Sequence, residues 1–104
     1  MIIVTTDFIS GREIVETIDI ARGSTIRARH LGRDIFAGLK TIIGGEISEY
    51  TKLMADAREQ AIERMIADAE EIGADAIINV RFTTSMVMQG SSEVLAYGTA
   101  VKLR

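Results

Sequence analysis

The longest periodic pattern in this chain constrains its fold most. Across residues 48–72 the apolar residues Met54, Ala57, Ala61, Ile62, Met65, Ala69 and Ile72 recur three or four positions apart, which predicts one long amphipathic helix. Lys52, Asp56, Glu59, Glu63 and Glu70 make its solvent face. Ser48 is the expected N-cap, and Glu49 in the first turn suits the positive end of the helix dipole. Gly73 is the expected stop, because glycine takes the left-handed conformation at a helix C-terminus without a steric penalty. At about 100° per residue, Arg58 projects onto the middle of the apolar face, one turn from both Met54 and Ile62. A cation placed there needs a partner. Two readings stand: a buried ion pair or bridge to backbone carbonyls, and an anionic ligand held where subunits meet.

Around this helix the chain alternates in the manner of strands. Residues 2–6 form a short β-branched run, and residues 7–11 a loop carrying the apolar pair Phe8 and Ile9. Residues 12–29 are rich in isoleucine, valine and threonine, interrupted at Gly23-Ser24 by either a hairpin or a bulge in one bent strand. Leu31, Ile35, Phe36, Leu39, Ile42 and Ile43 follow a second helical stripe, which Gly44-Gly45 stops. After Gly73 two long strands flank a turn at residues 89–92. In the first, Ile78, Val80, Phe82 and Met86 share a face against Asn79, Arg81, Thr83 and Ser85. In the second, Leu95, Tyr97, Thr99, Val101 and Leu103 oppose Val94, Ala96, Gly98 and Ala100. The predicted architecture is a single α+β domain over residues 1–104, an antiparallel sheet with two helices packed on one face.

Composition narrows the chemistry. The chain has 104 residues, of which 47% are apolar before its 9 glycines are counted. With glycine the apolar share passes the roughly 45–50% typical of globular chains. A domain this small has more apolar surface than it can hide alone, and self-association is the simplest outlet. The absence of cysteine excludes disulfides, thiolate metal sites and cysteine nucleophiles within the chain. No apolar run approaches the roughly 20 residues of a membrane span, and no signal peptide is expected, so the expected compartment is the cytoplasm. The net charge of −3 offers no global field for nucleic acid. Charge is nonetheless unevenly placed: Arg22, Arg27, Arg29, Arg33 and Lys40 stand against Asp34 alone, whereas residues 41–75 carry nine acidic residues against Lys52, Arg58 and Arg64. A polyanion site, two solvated faces, and a head-to-tail contact between subunits all fit this pattern.

Catalytic constellations are poor. The single histidine, His30, stands four residues before Asp34, and two ligands do not make a metal site. Met54, Met65, Met86 and Met88 could offer thioethers to a soft metal, but without Cys or His support such methionines read as core. No strained Gly-x-Ser-x-Gly elbow is present. Gly44-Gly45 lacks the Gly-Lys-Ser/Thr of a phosphate loop. No enzymatic activity is expected.

Several stretches carry a family resemblance. They are Ile2-Ile3-Val4-Thr5-Thr6, Gly11 with Ile14-Val15-Glu16, Asp34-Ile35-Phe36-Ala37, Ile43-Gly44-Gly45, Ala57-Arg58-Glu59, residues 73–78, and the closing Tyr97-Gly98-Thr99-Ala100-Val101. In order and spacing they resemble the YbjQ-like family of small uncharacterised proteins across essentially the whole chain. The resemblance implies a dodecin-like α+β subunit in a ring oligomer, a pentamer. It also brings a heavy-metal-binding description, which a chain with one histidine and no cysteine supports poorly. Arg58 and Gly73 match the family pattern, and Asn79 departs from it where a small residue such as glycine is expected. Arg58 and Tyr97 are the candidate ligand-binding residues, and no metal-ligating residue is singled out; the ligand, a metal ion or a small anion, is of unknown identity, and the expected partner is the chain itself.

Overall fold

The computed structural model describes residues 1–28 and 46–104. The expected helix over residues 31–43 lies outside them, as do Arg29, His30, Arg33 and Asp34. Strands β1 (Ile2–Ile3), β2 (Ile14–Ala28), β3 (Ala76–Met88) and β4 (Ser91–Leu103) surround helix α1 (Glu46–Glu71). They form one four-stranded sheet in the order β1-β3-β4-β2. Two features of the expected fold are therefore corrected. The sheet is mixed rather than antiparallel, because β1 pairs parallel to β3, with Ile2 against Ala76 and Ile3 against Ile77. Among the described residues a single helix packs on the sheet, not two.

The long helix is close to its expected span, starting at Glu46 so that Ser48 falls inside it rather than capping it. It ends as the sequence predicts. Gly73 has φ +79°, its amide donates to the Glu70 carbonyl, and the Ala74 amide donates to the Ala69 carbonyl. Those two bonds satisfy carbonyls that the helix end would otherwise leave unpaired.

What α1 buries is a stripe of small residues. Ala57, Ala61, Met65 and Ala69 have no exposed surface, and they meet Ala21, Val94, Ala96 and Ala100 of the sheet in one cluster. Gly23 sits at the closest approach. A Cβ built there would stand 2.5 Å from the Ala61 carbonyl oxygen and nearer still to the Met65 amide nitrogen. Gly23-Ser24 is thus neither a hairpin nor a bulge. β2 runs through it unbroken, and its register shifts fall earlier, between Ile14 and Glu16 and between Thr17 and Asp19.

A bulge in β3 takes Ile78 off the face it was expected to share with Val80, Phe82 and Met86, which do share one. The register passes from Ile78 opposite Thr99 to Arg81 opposite Tyr97, so Asn79 and Val80 together face Gly98. One extra residue reverses the alternation. Ile78 accordingly joins Ala76 and Val101 on the face turned away from α1, while Val80 joins the cluster beneath the helix. The cause is local, since Asn79 has φ +53°, in the left-handed region that asparagine tolerates better than other side chains and glycine best. The departure at position 79 is therefore a conformational substitution. We expect Asn79→Gly to keep or raise the melting temperature. Asn79→Val should cost about 1–3 kcal/mol, read as a lower midpoint in urea.

Among the described residues, the face away from α1 is covered at one end. Val4, Ile9, Ile14 and Leu103 pack there on Ala76, Ile78 and Val101. The loop pair splits: Ile9 joins this packing, and Phe8 is 58% exposed. Leu103 is tied back through its amide to the Asp75 carboxylate at 2.9 Å.

Candidate functional site

The helix lies over β2 and β4, and among the described residues the β3 side of the same sheet face is largely uncovered. Along that flank Ile62 of α1, Val80 and Phe82 of β3, and residues 3–6 enclose a groove of about 470 Å³. Its apolar walls are Ile3, Val4, Ile62, Val80 and Phe82, and Thr5 and Thr6 supply the polar edge. Residues 2–6 are held in place as a wall by backbone bonds, the Val4 amide to the Ile77 carbonyl and the Val80 and Asn79 amides to the Val4 and Thr6 carbonyls. Arg81 adds a side-chain clamp, its Nη1 donating to the Thr5 carbonyl at 2.9 Å. Nothing in the periodicity of residues 1–6 announces this groove, because it arises where three distant segments meet.

Arg58 is not where its helical projection puts it. It is exposed. Projecting a helix onto one wheel assumes that its contact runs parallel to the axis. Here the contact follows the row 57, 61, 65, 69, which winds about the axis by about 40° per step. At the level of Arg58 the buried direction is that of Ala57, about 100° away. Arg58 therefore stands on the helix flank, one turn before Ile62, on the side of the groove.

Tyr97 lies on the opposite face of the sheet. Its neighbours Ala96 and Gly98 point beneath the helix, and Tyr97 points away and is 39% exposed. It has Arg22 and Arg81 as cross-strand neighbours. Within one subunit the two candidate ligand-binding residues are thus separated by the sheet.

Of the basic candidates, Arg22 and Arg27 lie within the described residues. Arg22 shares the outer face with Tyr97, whereas Arg27 faces the helix and donates from Nη2 to Gln60 Oε1 at 3.0 Å. These two arginines diverge and make no common polyanion surface. Met65 is fully buried, as the core reading of the methionines expects, but Met86 and Met88 are 75% and 66% exposed. A register shift between them turns them to opposite faces, so their thioethers do not converge.

Comparison with known proteins places the chain. A family profile whose description reads "Putative heavy-metal-binding" matches residues 1–104. The chain belongs to this YbjQ-like family. Among curated relatives, a UPF0145 protein of Methanosarcina acetivorans is 62% identical over 99% of this chain and 97% of its own length. UPF0145 proteins of Photobacterium profundum and Archaeoglobus fulgidus are 60% and 56% identical, over 99% and 100% of this chain and 100% and 96% of their own lengths. A crystal structure of a protein of unknown function from the DUF74 family of Pediococcus pentosaceus superposes with a TM-score of 0.70 at 18% identity, covering 100% of this chain and 98% of that one. At that identity the likeness concerns the fold alone.

The metal in the description of the YbjQ-like family does not fit the donors seen here. Among the described residues no three His, Cys, Asp or Glu side chains cluster as a metal site would require. With no cysteine in the chain, the soft ligands are thioethers, and the exposed pair diverges. Likewise, among the described residues no helix is long and apolar enough to cross a membrane.

Proposed function

We propose that this chain is a self-associating, non-enzymatic, cytoplasmic binding subunit. Its ligand is a small molecule with an apolar body and an anionic group, held in the groove beside α1 where copies meet. The groove carries this reading. Its walls are almost wholly aliphatic and aromatic, and an apolar molecule entering it releases water that those walls hold poorly. Arg58, one turn before Ile62, supplies the positive charge for an anionic end. Self-association is supported by Ile20, Ile26, Phe82, Met86, Val87 and Met88, each more than 40% exposed, an apolar surface larger than a solitary small domain usually shows. The family resemblance makes five copies the expected assembly size. A soft metal is the weaker ligand on donor chemistry alone.

The test uses 8-anilinonaphthalene-1-sulfonate, an apolar anion that fluoresces when sheltered from water. Folded protein should bind it saturably. Ile62→Glu should abolish binding. Arg58→Ala should weaken it about tenfold, the loss of one charge-assisted hydrogen bond, with stability changed by no more than about 0.5 kcal/mol. Equal binding by wild type and Ile62→Glu removes the groove from consideration and leaves a purely structural or protein-interaction role. A rise in melting temperature with one equivalent of Zn(II) or Cu(I) would restore the metal reading.

A further inference from the structure

We infer that the groove beside α1 selects a hydrocarbon chain ending in one carboxylate, the chemistry of a medium-chain fatty acid. The inference rests on the groove reading above and names the class of ligand. What decides it is how little the groove offers a polar molecule. The carbonyls along the wall formed by residues 3–6 are already engaged. That of Val4 accepts the Val80 amide at 3.0 Å, and that of Thr6 accepts the Asn79 amide at 2.9 Å. That of Thr5 accepts Arg81 Nη1 at 2.9 Å. The Thr6 hydroxyl is spent too, donating to the Phe8 carbonyl at 2.7 Å. The facing walls are the side chains of Ile62, Val80 and Phe82. Among the described residues, the Thr5 hydroxyl is the one lining side-chain group with no bond of this kind.

A sugar, a nucleobase or a peptide carries donors and acceptors along its whole body. In this groove it would lose their bonds to water and regain few, and each polar group buried without a partner weakens binding. A hydrocarbon has no such bonds to lose, and its gain grows with the apolar area removed from water. The groove's volume of about 470 Å³ lies in the range that holds small molecules. Phe82, 44% exposed, is the single aromatic side chain in the lining. No pair of rings clamps a flat ligand there, and the aliphatic walls suit a flexible chain.

Charge sets the other end of the ligand. The positions one turn from Arg58 on α1 are Met54, Ala55, Ala61 and Ile62, from which an acidic side chain would pair with it. None is acidic, so α1 supplies no such partner to the cation beside Ile62. The lining of the groove itself contains no charged residue. One cation at one end matches one carboxylate, and a free acid rather than an ester.

The test is displacement of 8-anilinonaphthalene-1-sulfonate from the full chain by hexanoate, octanoate and decanoate, each below its micelle concentration. Affinity should rise about fourfold for each methylene added. Octan-1-ol should bind wild type about tenfold more weakly than octanoate, and Arg58→Ala should bind the two alike. Decanedioate, with a second carboxylate at the far end of the same chain, should not displace the dye where decanoate saturates, and neither should adenosine monophosphate. If wild type does not bind the dye, or Ile62→Glu binds it equally, the groove reading itself fails. Suppose instead that the dye binds in the groove, but hexanoate displaces it as well as decanoate, or adenosine monophosphate does. The groove then stands, and its selectivity for a hydrocarbon chain is wrong. Equal binding of octanoate and octan-1-ol by wild type overturns the role given to the carboxylate and to Arg58.

Discussion

Gly23→Ala should unfold this protein at temperatures where the wild type is intact. The backbone angle at Gly23 is one that any residue adopts, so the penalty is purely one of space. The added methyl would meet the backbone of α1 at Ala61, Arg64 and Met65, and backbone cannot swing aside as the end of a flexible side chain can. Relief requires lifting the helix off β2, which loosens the alanine stripe and strains the bonds from Asp68 to Arg22 and from Arg64 to Ser24. Overpacking in a tight core costs about 1–3 kcal/mol and sometimes more, and a rigid obstacle on both sides puts this case at the upper end. For a domain of this size, about 3 kcal/mol lowers the melting temperature by about 12–24 °C. Ser24→Ala, one residue on, keeps the backbone carbonyl that Arg64 binds and should shift stability by less than about 0.5 kcal/mol. Equal melting temperatures for wild type and Gly23→Ala would mean that the helix does not approach β2 so closely.

The second large effect belongs to Met65. Among the largest fully buried side chains, it fills space that the surrounding alanines leave. Alanines 57, 61, 69, 96 and 100 have no longer side chains with which to collapse into a void. Met65→Ala should therefore cost about 2–5 kcal/mol, with little relaxation. Met65→Leu, which conserves volume, should cost less than about 1.5 kcal/mol. Met88→Ala offers the contrast: at 66% exposure the same change should move the urea midpoint by no more than about 0.5 kcal/mol equivalent. Chemical denaturation of the three variants separates a packing methionine from a surface one, a distinction that their shared side chain does not reveal.

The features legible in the sequence are those written in short-range backbone chemistry. Gly73 stops the helix where a left-handed cap was expected. Gln89-Gly90 turns β3 into β4. In β4 the small residues Val94, Ala96 and Ala100 all face one way and are buried, as strict alternation requires. Each of these depends on neighbours within a few positions. In β3 alternation held from Val80 to Met86, but Ile78 fell on the other face because of the bulge beside it, and the signal lay in a single asparagine whose left-handed conformation only the folded chain displays. Arg58 failed for a related reason. Periodicity locates an apolar face, but the angle at which a helix crosses a twisted sheet decides which part of that face is covered.

The sequence by itself determined the long helix and its end, the closing hairpin, the family, and the poverty of soft metal donors, because composition and local spacing carry all four. Only the tertiary structure decided that Gly23 is a contact rather than a break, that Arg58 and Tyr97 lie on opposite sides of the sheet, and that an apolar groove forms between residues 3–6, α1 and β3. Those outcomes depend on segments far apart in the chain meeting at distances set by packing, which no local pattern encodes.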